Sequence, residues 1–328
     1  MLDRGQFDRL KEEVIDFFPS RITDAHVHTG IRAEIIGERE KGLFLPYSWL
    51  HNKRVISADP SLFKEIYPSK LDLIGIPLPF DVMDPNVYND KLVHDEKIEC
   101  EMWGLKDVEA MEDSIAKFPF CGIKFHPRMV KKERVLITDM VSEKAMEFID
   151  KHKLPVTLEI KNGFIKEDLE TLKKMNDSYD FKIILPHMAF NHKGFTLSWN
   201  DYQKSLKGDG EFEKEFNKIN NLDNIFLDTS MIIDKRIIKG ALSSLGPDKL
   251  LFGTDFPFGF TPKIQENRPL AKVYAPDLGK IVFGQPDHTS WRFYYNIYLQ
   301  IKALKDAEGN LDIREKIFRK NAKEVFKL

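Results

Sequence analysis

Eight short apolar runs, most of them followed by a helical pattern, constrain this chain more than any other feature. The first run covers residues 21–28 (RITDAHVH), and the last begins at residue 249 (KLLFGTDFPFG). Alternation of strand and helix requires parallel pairing, because each helix returns the chain to the start of the next strand. Eight such units close into a (β/α)8 barrel, which takes about 250 residues before insertions. We therefore predict a distorted α/β TIM barrel.

A single domain, residues 1–328, accounts for the whole chain. The length beyond a minimal barrel falls in long segments after the first, sixth and eighth strands, which we expect to be loops. A doubly wound open sheet is the structural alternative. It needs a glycine-rich phosphate loop after a strand, and the sequence offers no obvious one.

Composition excludes several functional classes. A net charge of −2 gives no basic surface, so no nucleic-acid partner is expected. No apolar run is long enough to cross a bilayer, and the charged first segment lacks the apolar core of a secretion signal. Cys100 and Cys121 are the two cysteines and form no CxxC pair, which fits a reducing compartment. We expect a cytoplasmic protein with a small-molecule substrate; a homo-oligomer remains open.

Polar residues interrupt the apolar runs where the strands are predicted to end. A barrel gathers the carboxyl ends of its strands at one mouth, so these side chains should converge there. Ionisable groups that converge in a buried place need partners, either one another or a shared cation. With histidines among them, a divalent metal is the interpretation we favour. The residues are His26, His28, Lys124, His126, Glu159, His187, Asp228, Ser230 and Asp255.

His26 and His28 are the sharpest part of this pattern. Side chains two residues apart on a strand share a face, so the two imidazoles can grip one ion. The alternative is a pair of polar residues that bond only to water. Arg128 follows His126 closely, and its guanidinium fork suits a substrate carboxylate.

The ordered set of motifs resembles the amidohydrolase superfamily, in the amidohydrolase-related branch that includes aminocarboxymuconate-semialdehyde decarboxylase. The matching pieces are DAHVH, GIKFHP, LPVTLE, ILPHMAF, NIFLDTS, LLFGTDFPFG and KNAKEVF, and they span nearly the whole chain. The resemblance implies a distorted (β/α)8 barrel with a divalent metal, usually zinc, at its mouth. One ion is expected; manganese, iron(II) or a second ion remain open.

Residue by residue, the resemblance implies that His26 and His28 are metal ligands. It implies that Asp255 binds the metal and moves a proton, and that His187 polarises substrate or water as a second catalytic residue. Glu159 stands where the branch usually has histidine. Glutamate can also ligate zinc, so we predict Glu159 as a ligand; a different ion, or recruitment of His126 in its place, remains open.

Lys124 has two interpretations. Some superfamily members carry a lysine carboxylated by CO₂ that bridges two metals. We favour a charged Lys124 paired with Glu159 or Asp228. Together with His126 and Arg128, Lys124 is a candidate for substrate binding.

Three functions follow. The leading hypothesis is hydrolysis of a small acid, lactone or amide by metal-bound hydroxide, because a metal lowers the pKa of its water toward about 7. The second is non-oxidative decarboxylation or hydration on the same scaffold. The third is a catalytically degenerate binding protein, marked by the departure at Glu159.

Overall fold

The eight predicted strands form one parallel sheet in sequential order. The computed structural model describes residues 4–29, 67, 69–77, 99–104, 107–127, 130, 132–160, 163–189, 210–255 and 291–328. The strands are β1 Arg21–Thr29, β2 Lys70–Pro77, β3 Glu99–Trp103, β4 Gly122–Phe125, β5 Val156–Leu158, β6 Ile183–Leu185, β7 Ile225–Asp228 and β8 Leu250–Leu251.

Backbone hydrogen bonds between β1 and the residues that directly follow β8 join the two edges of the sheet into a barrel. The Ala25 N–H donates to the Phe252 carbonyl at 2.9 Å, and the Asp255 N–H donates to the His26 carbonyl at 2.8 Å. The Asp24 carboxylate adds a side-chain link, because it accepts from the backbone N–H of Thr254 at 3.0 Å and from its hydroxyl at 2.7 Å. The prediction of a distorted (β/α)8 barrel is therefore confirmed.

Helices lie before the first strand, between later strands and after the last one. They are α1 Arg4–Val14, α2 Val108–Lys117, α3 Ile137–Met140, α4 Glu143–His152, α5 Lys166–Ser178, α6 Gly210–Phe216, α7 Lys235–Leu245, α8 Trp291–Ala307, α9 Leu311–Glu315 and α10 Asn321–Phe326. Within the residues that the structure describes, no helix is both long and apolar enough to span a membrane. The long loops predicted after strands one and eight lie outside the described residues, and the one predicted after strand six is described only from α6 onward.

A small apolar cluster fills the amino-terminal end of the barrel, and we call it the barrel floor. Its strand residues are Ala25, Ile74, Ile184, Phe226 and Leu251, and α10 covers them with Ala322, Val325 and Phe326. A larger apolar layer, which includes other inward residues of the helices, packs between the strands and the helices. Burial of both layers leaves the opposite, carboxyl end of the strands for polar side chains.

The chain end is fixed to the floor by specific hydrogen bonds. The Asn321 amide donates to the carbonyls of Pro247 at 2.8 Å and Leu250 at 2.7 Å. Just before α10, one turn of π-helix, Lys316–Lys320, lets the Ile317 carbonyl accept from the Phe252 N–H at 2.8 Å. These bonds satisfy backbone groups at the edge of a very short β8.

Candidate metal centre

Three buried side chains from the ends of three strands meet at the mouth of the barrel. They are His26 of β1, His187 after β6 and Asp255 after β8, and each offers one ligand atom within 4.8 Å of the other two. The Nε2 atom of His26 lies 3.4 Å from Oδ1 of Asp255. The two imidazole rings are 5.1 Å apart between centroids. We call these residues the His–His–Asp cluster.

Backbone geometry directs two members of the cluster. His187 has φ +54° and Asp255 has φ +57°, both in the left-handed region. Non-glycine residues adopt this region at a cost of about 1 kcal/mol or more, and such strain collects at functional sites. The left-handed turns end β6 and β8 abruptly. They coincide with the two residues that turn their side chains toward His26.

Asp228 and Ser230, at the end of β7, hold both histidines from behind. One oxygen of Asp228 lies 2.6 Å from Nδ1 of His26. The other accepts the backbone N–H of His187 at 2.9 Å and the hydroxyl of Ser230. The Ser230 oxygen in turn lies 2.8 Å from Nδ1 of His187. Because the protein engages both Nδ1 atoms, the Nε2 atoms are the ones that would ligate a metal.

Burial and neighbouring charges shift the pKa values of Asp228, His26 and His187. Burial acts to raise the pKa of Asp228, but the charge and hydrogen bond of His26, together with His187 and Ser230, hold it well below its usual range. Burial acts to lower the pKa of His26, yet the charge and hydrogen bond of Asp228, together with the charge of Asp255, raise that pKa. Burial, helped by the nearby His26, lowers the pKa of His187 to about 4. His187 is therefore neutral at pH 7, as a metal ligand must be.

The cluster fits a divalent cation by two independent tests. Zinc bonds of about 2.0–2.1 Å in tetrahedral geometry place two ligand atoms about 3.3 Å apart, and His26 Nε2 and Asp255 Oδ1 are separated by 3.4 Å. Two imidazoles and a carboxylate are also a donor set that zinc and manganese accept. The side chain of His28 lies outside the described residues, although its backbone continues β1. Its predicted role as a ligand stays a prediction.

A second polar group lies at the ends of β4 and β5, and we call it the ion-pair arm. One carboxylate oxygen of Glu159 lies 2.9 Å from Nε2 of His126 and 3.6 Å from Nζ of Lys124. All three side chains are buried. Lys124 therefore pairs with Glu159, one of the two partners expected. Glu159 is outside the His–His–Asp cluster, so its role as a ligand stays a prediction, and Arg128 lies outside the described residues.

Several buried polar residues make contacts that the sequence did not predict. Asp228 and Ser230 were visible as polar residues at a strand end, but their contacts with both histidines were not predicted. Glu101 on β3 accepts the hydroxyl of Thr157 at 2.5 Å, and burial raises its pKa to about 7. Its only signal was an acidic residue inside an apolar strand. Asp24, two residues before His26, binds Thr254 through its carboxylate, and the sequence did not predict this contact.

Sequence comparison assigns the chain to a family. A family model described as Amidohydrolase matches residues 102–328, more than half of the chain. The chain belongs to the amidohydrolase family, and the resemblance found in its motifs is confirmed. No curated protein matches the chain.

Solved structures with similar folds have low sequence identity. An amidohydrolase of Burkholderia multivorans with bound zinc is 12% identical with a TM-score of 0.58, covering 94% of this chain and 99% of its own. The 5-carboxyvanillate decarboxylase of Sphingomonas paucimobilis is 11% identical with a TM-score of 0.56, covering 94% and 100%. A dihydroxybenzoic acid decarboxylase of Polaromonas sp. JS666 with manganese and 2-nitroresorcinol is 16% identical with a TM-score of 0.52, covering 94% and 98%. These likenesses support the barrel fold.

Proposed function

We propose that this protein is a metal-dependent hydrolase of a small carboxylic acid, lactone or amide, with one divalent cation at the His–His–Asp cluster. The observation that carries the proposal is the set of three ligand atoms within 4.8 Å of one another, two of them on histidines oriented through Nδ1. Such orientation from behind is typical of metal sites and unusual for histidines that only fill a core. Zinc is the proposed ion.

A divalent cation held by His26, His187 and Asp255 would supply an activated water and polarise a substrate oxygen. Asp255 accepts the proton released from water and returns it to the leaving group, since its carboxylate lies at the mouth beside His26. His187, neutral because its pKa is lowered to about 4, offers a lone pair and not a charge. Asp228 stays ionised and holds both imidazoles in place.

Non-oxidative decarboxylation is the second candidate. Two of the similar structures are decarboxylases of hydroxylated aromatic acids, and the same cluster suits an acid that chelates the ion through a carboxylate and a neighbouring oxygen. Asp255 would then protonate the carbon that loses CO₂. Decarboxylation and hydrolysis need the same ligands and differ in the destination of one proton.

Metal content tests the shared part of both candidates. We expect protein purified without added metal to hold about one equivalent of zinc or manganese by inductively coupled plasma analysis. Asp255→Asn should lower that content at least about tenfold, because it removes the anionic ligand. Asp248→Asn, an exposed aspartate on the floor side of the barrel, is the matched control. Less than a tenth of an equivalent in the wild type, with none restored by dialysis, would refute the metal site.

Product analysis separates the two reactions. Turnover in D₂O of a panel of lactones, amides and hydroxybenzoates is followed by NMR and CO₂ release. Deuterium on a product carbon together with CO₂ favours decarboxylation; cleavage of a lactone or amide without carbon-bound deuterium favours hydrolysis. Ligand binding without turnover, unchanged in Asp255→Asn, would favour the degenerate binding protein.

A further inference from the structure

Lys124 carries a buried positive charge whose hydrogen-bonding capacity is unfilled. Its side chain is fully buried in the barrel interior, and its Nζ makes no hydrogen bond to any described residue. The contact with Glu159, at 3.6 Å, is an ion pair longer than a hydrogen bond. An ammonium group has three donors, and buried donors in native proteins find a partner. A group outside the described residues must therefore accept hydrogen bonds from the ammonium group of Lys124.

Glu159 does not accept a hydrogen bond from Lys124, because the nearer partner of Glu159 is His126. The same carboxylate oxygen lies 2.9 Å from Nε2 of His126 and 3.6 Å from Lys124. On β3, Glu101 bonds to Thr157, and its second oxygen also lacks a hydrogen bond among the described residues. Neither carboxyl group therefore occupies the donors of Lys124.

The position of Lys124 links it to the metal cluster. It lies on β4 two residues before His126, paired in register with Thr157 of β5, so it sits just below the mouth. The His–His–Asp cluster lies at the same mouth, at the ends of β1, β6 and β8. An ammonium on one side and a cation on the other attract an anion between them.

We infer that Lys124 binds an anionic oxygen of the substrate, and that this substrate is a carboxylate. The inference rests on the proposed function, since it assigns the substrate class of the same mouth. Lys124 donates to a carboxylate oxygen of the substrate, and Glu159, which lies nearer to His126, leaves the donors of the lysine available. In this arrangement the β1, β6 and β8 side of the mouth holds the metal, and the β4 and β5 side holds the acid group.

Calorimetric titration of Co²⁺-loaded protein tests this assignment with two matched probes, 2,6-dihydroxybenzoate and resorcinol, which differ by the carboxylate. Lys124→Met should weaken binding of 2,6-dihydroxybenzoate at least about tenfold, the usual loss for one charge-assisted hydrogen bond. Resorcinol affinity and the visible Co²⁺ spectrum should not change. Lys182→Met, a lysine that bonds Asn224 on the floor side of the barrel, is the control for loss of a positive charge.

Glu159→Gln supplies a second variant in case Lys124→Met does not fold. Removing a negative charge beside an anion site should leave 2,6-dihydroxybenzoate binding as tight as in the wild type or tighter, with Co²⁺ uptake unchanged. A tenfold loss of 2,6-dihydroxybenzoate binding in this variant with Co²⁺ retained would overturn the assignment of Lys124. A tenfold loss of Co²⁺ uptake would also overturn it, because Glu159 would then be a metal ligand and not the partner of Lys124.

The two proposals fail in different ways. If folded Lys124→Met binds Co²⁺ and 2,6-dihydroxybenzoate within twofold of the wild type, or if the loaded wild type does not bind the acid at millimolar concentration, the assignment of Lys124 is wrong and the metal site stands. If the wild type takes up no Co²⁺, the metal function fails instead. Titration of the metal-free protein with the same acid then tests Lys124 by itself.

Discussion

The floor and the mouth of this barrel are built by the same strands and have opposite chemistry. On β7, Phe226 belongs to the apolar floor, whereas Asp228, two residues later, contacts both histidines of the cluster. Floor residues gain stability by leaving water. Mouth residues lose their hydrogen bonds to water on folding, and hydrogen bonds among themselves replace these only in part. Apolar packing at the floor therefore stabilises the barrel, and its buried charges lie at the mouth.

The largest expected effect is at the floor. Phe226→Ala should lower the free energy of unfolding by about 3–5 kcal/mol, the usual cost of removing a buried aromatic ring, measured by urea denaturation. Metal content per folded molecule should be unchanged, because the ring does not contact the His–His–Asp cluster. A stability loss below 1 kcal/mol, or loss of the metal, would show that the floor and the mouth do not have these separate roles.

Glu101 gives the next effect, and it depends on pH. Burial raises its pKa from 4.5 to about 7 in the folded protein, so the folded state holds a proton that the unfolded chain releases. Its contribution is full below pH 4.5 and is lost as pH rises to about 7, by about 3 kcal/mol. Glu101→Gln should remove this fall in stability, measured by urea denaturation at several pH values.

Glu99 provides the control for that experiment. It lies on the same strand, is exposed, and Glu99→Gln should leave the pH dependence of the wild type in place. If Glu101→Gln and the wild type lose the same stability between pH 4.5 and 7, the carboxyl group of Glu101 is not the source.

Asp228→Asn should act on the metal more than on the fold. It keeps the shape of the side chain but removes the charge that orients His26 and His187. Loss of such an orienting partner typically weakens metal binding by about 10–100-fold, which isothermal titration with Zn²⁺ would measure. Wild-type affinity in this variant would mean that the backbone alone orients the histidines.

Ser230→Ala should have the smallest effect. The hydroxyl joins Asp228 to Nδ1 of His187, but the Ser230 carbonyl, 3.3 Å from the same nitrogen, remains in the variant. We expect a loss of about 1 kcal/mol in Zn²⁺ binding, the usual value of one hydrogen bond. A loss as large as that of Asp228→Asn would show that the serine, and not the aspartate, controls the position of His187.

Much of this architecture was predictable because it depends on local pattern. The period of two along a strand identified His26, Lys124, Glu159 and Asp228 as polar residues in apolar runs, and the alternation of strands and helices predicted the barrel. The same pattern predicted that His26, His187 and Asp255 would meet at the mouth. The pattern did not predict how high along the barrel axis each side chain lies, or toward which neighbouring strand it points.

The sequence by itself thus determined the barrel, its family and which residues face the mouth. Only the tertiary structure decided the partners: it placed Asp228 and Ser230 behind the histidines and Glu159 against His126. It also chose Glu159 over Asp228, the other partner expected for Lys124. The physical reason is the separation along the chain of the residues that determine each feature. Strand and helix periods are set by neighbouring residues, whereas a contact such as His26 to Asp228 spans 202 positions and exists only after the last strand bonds to the first.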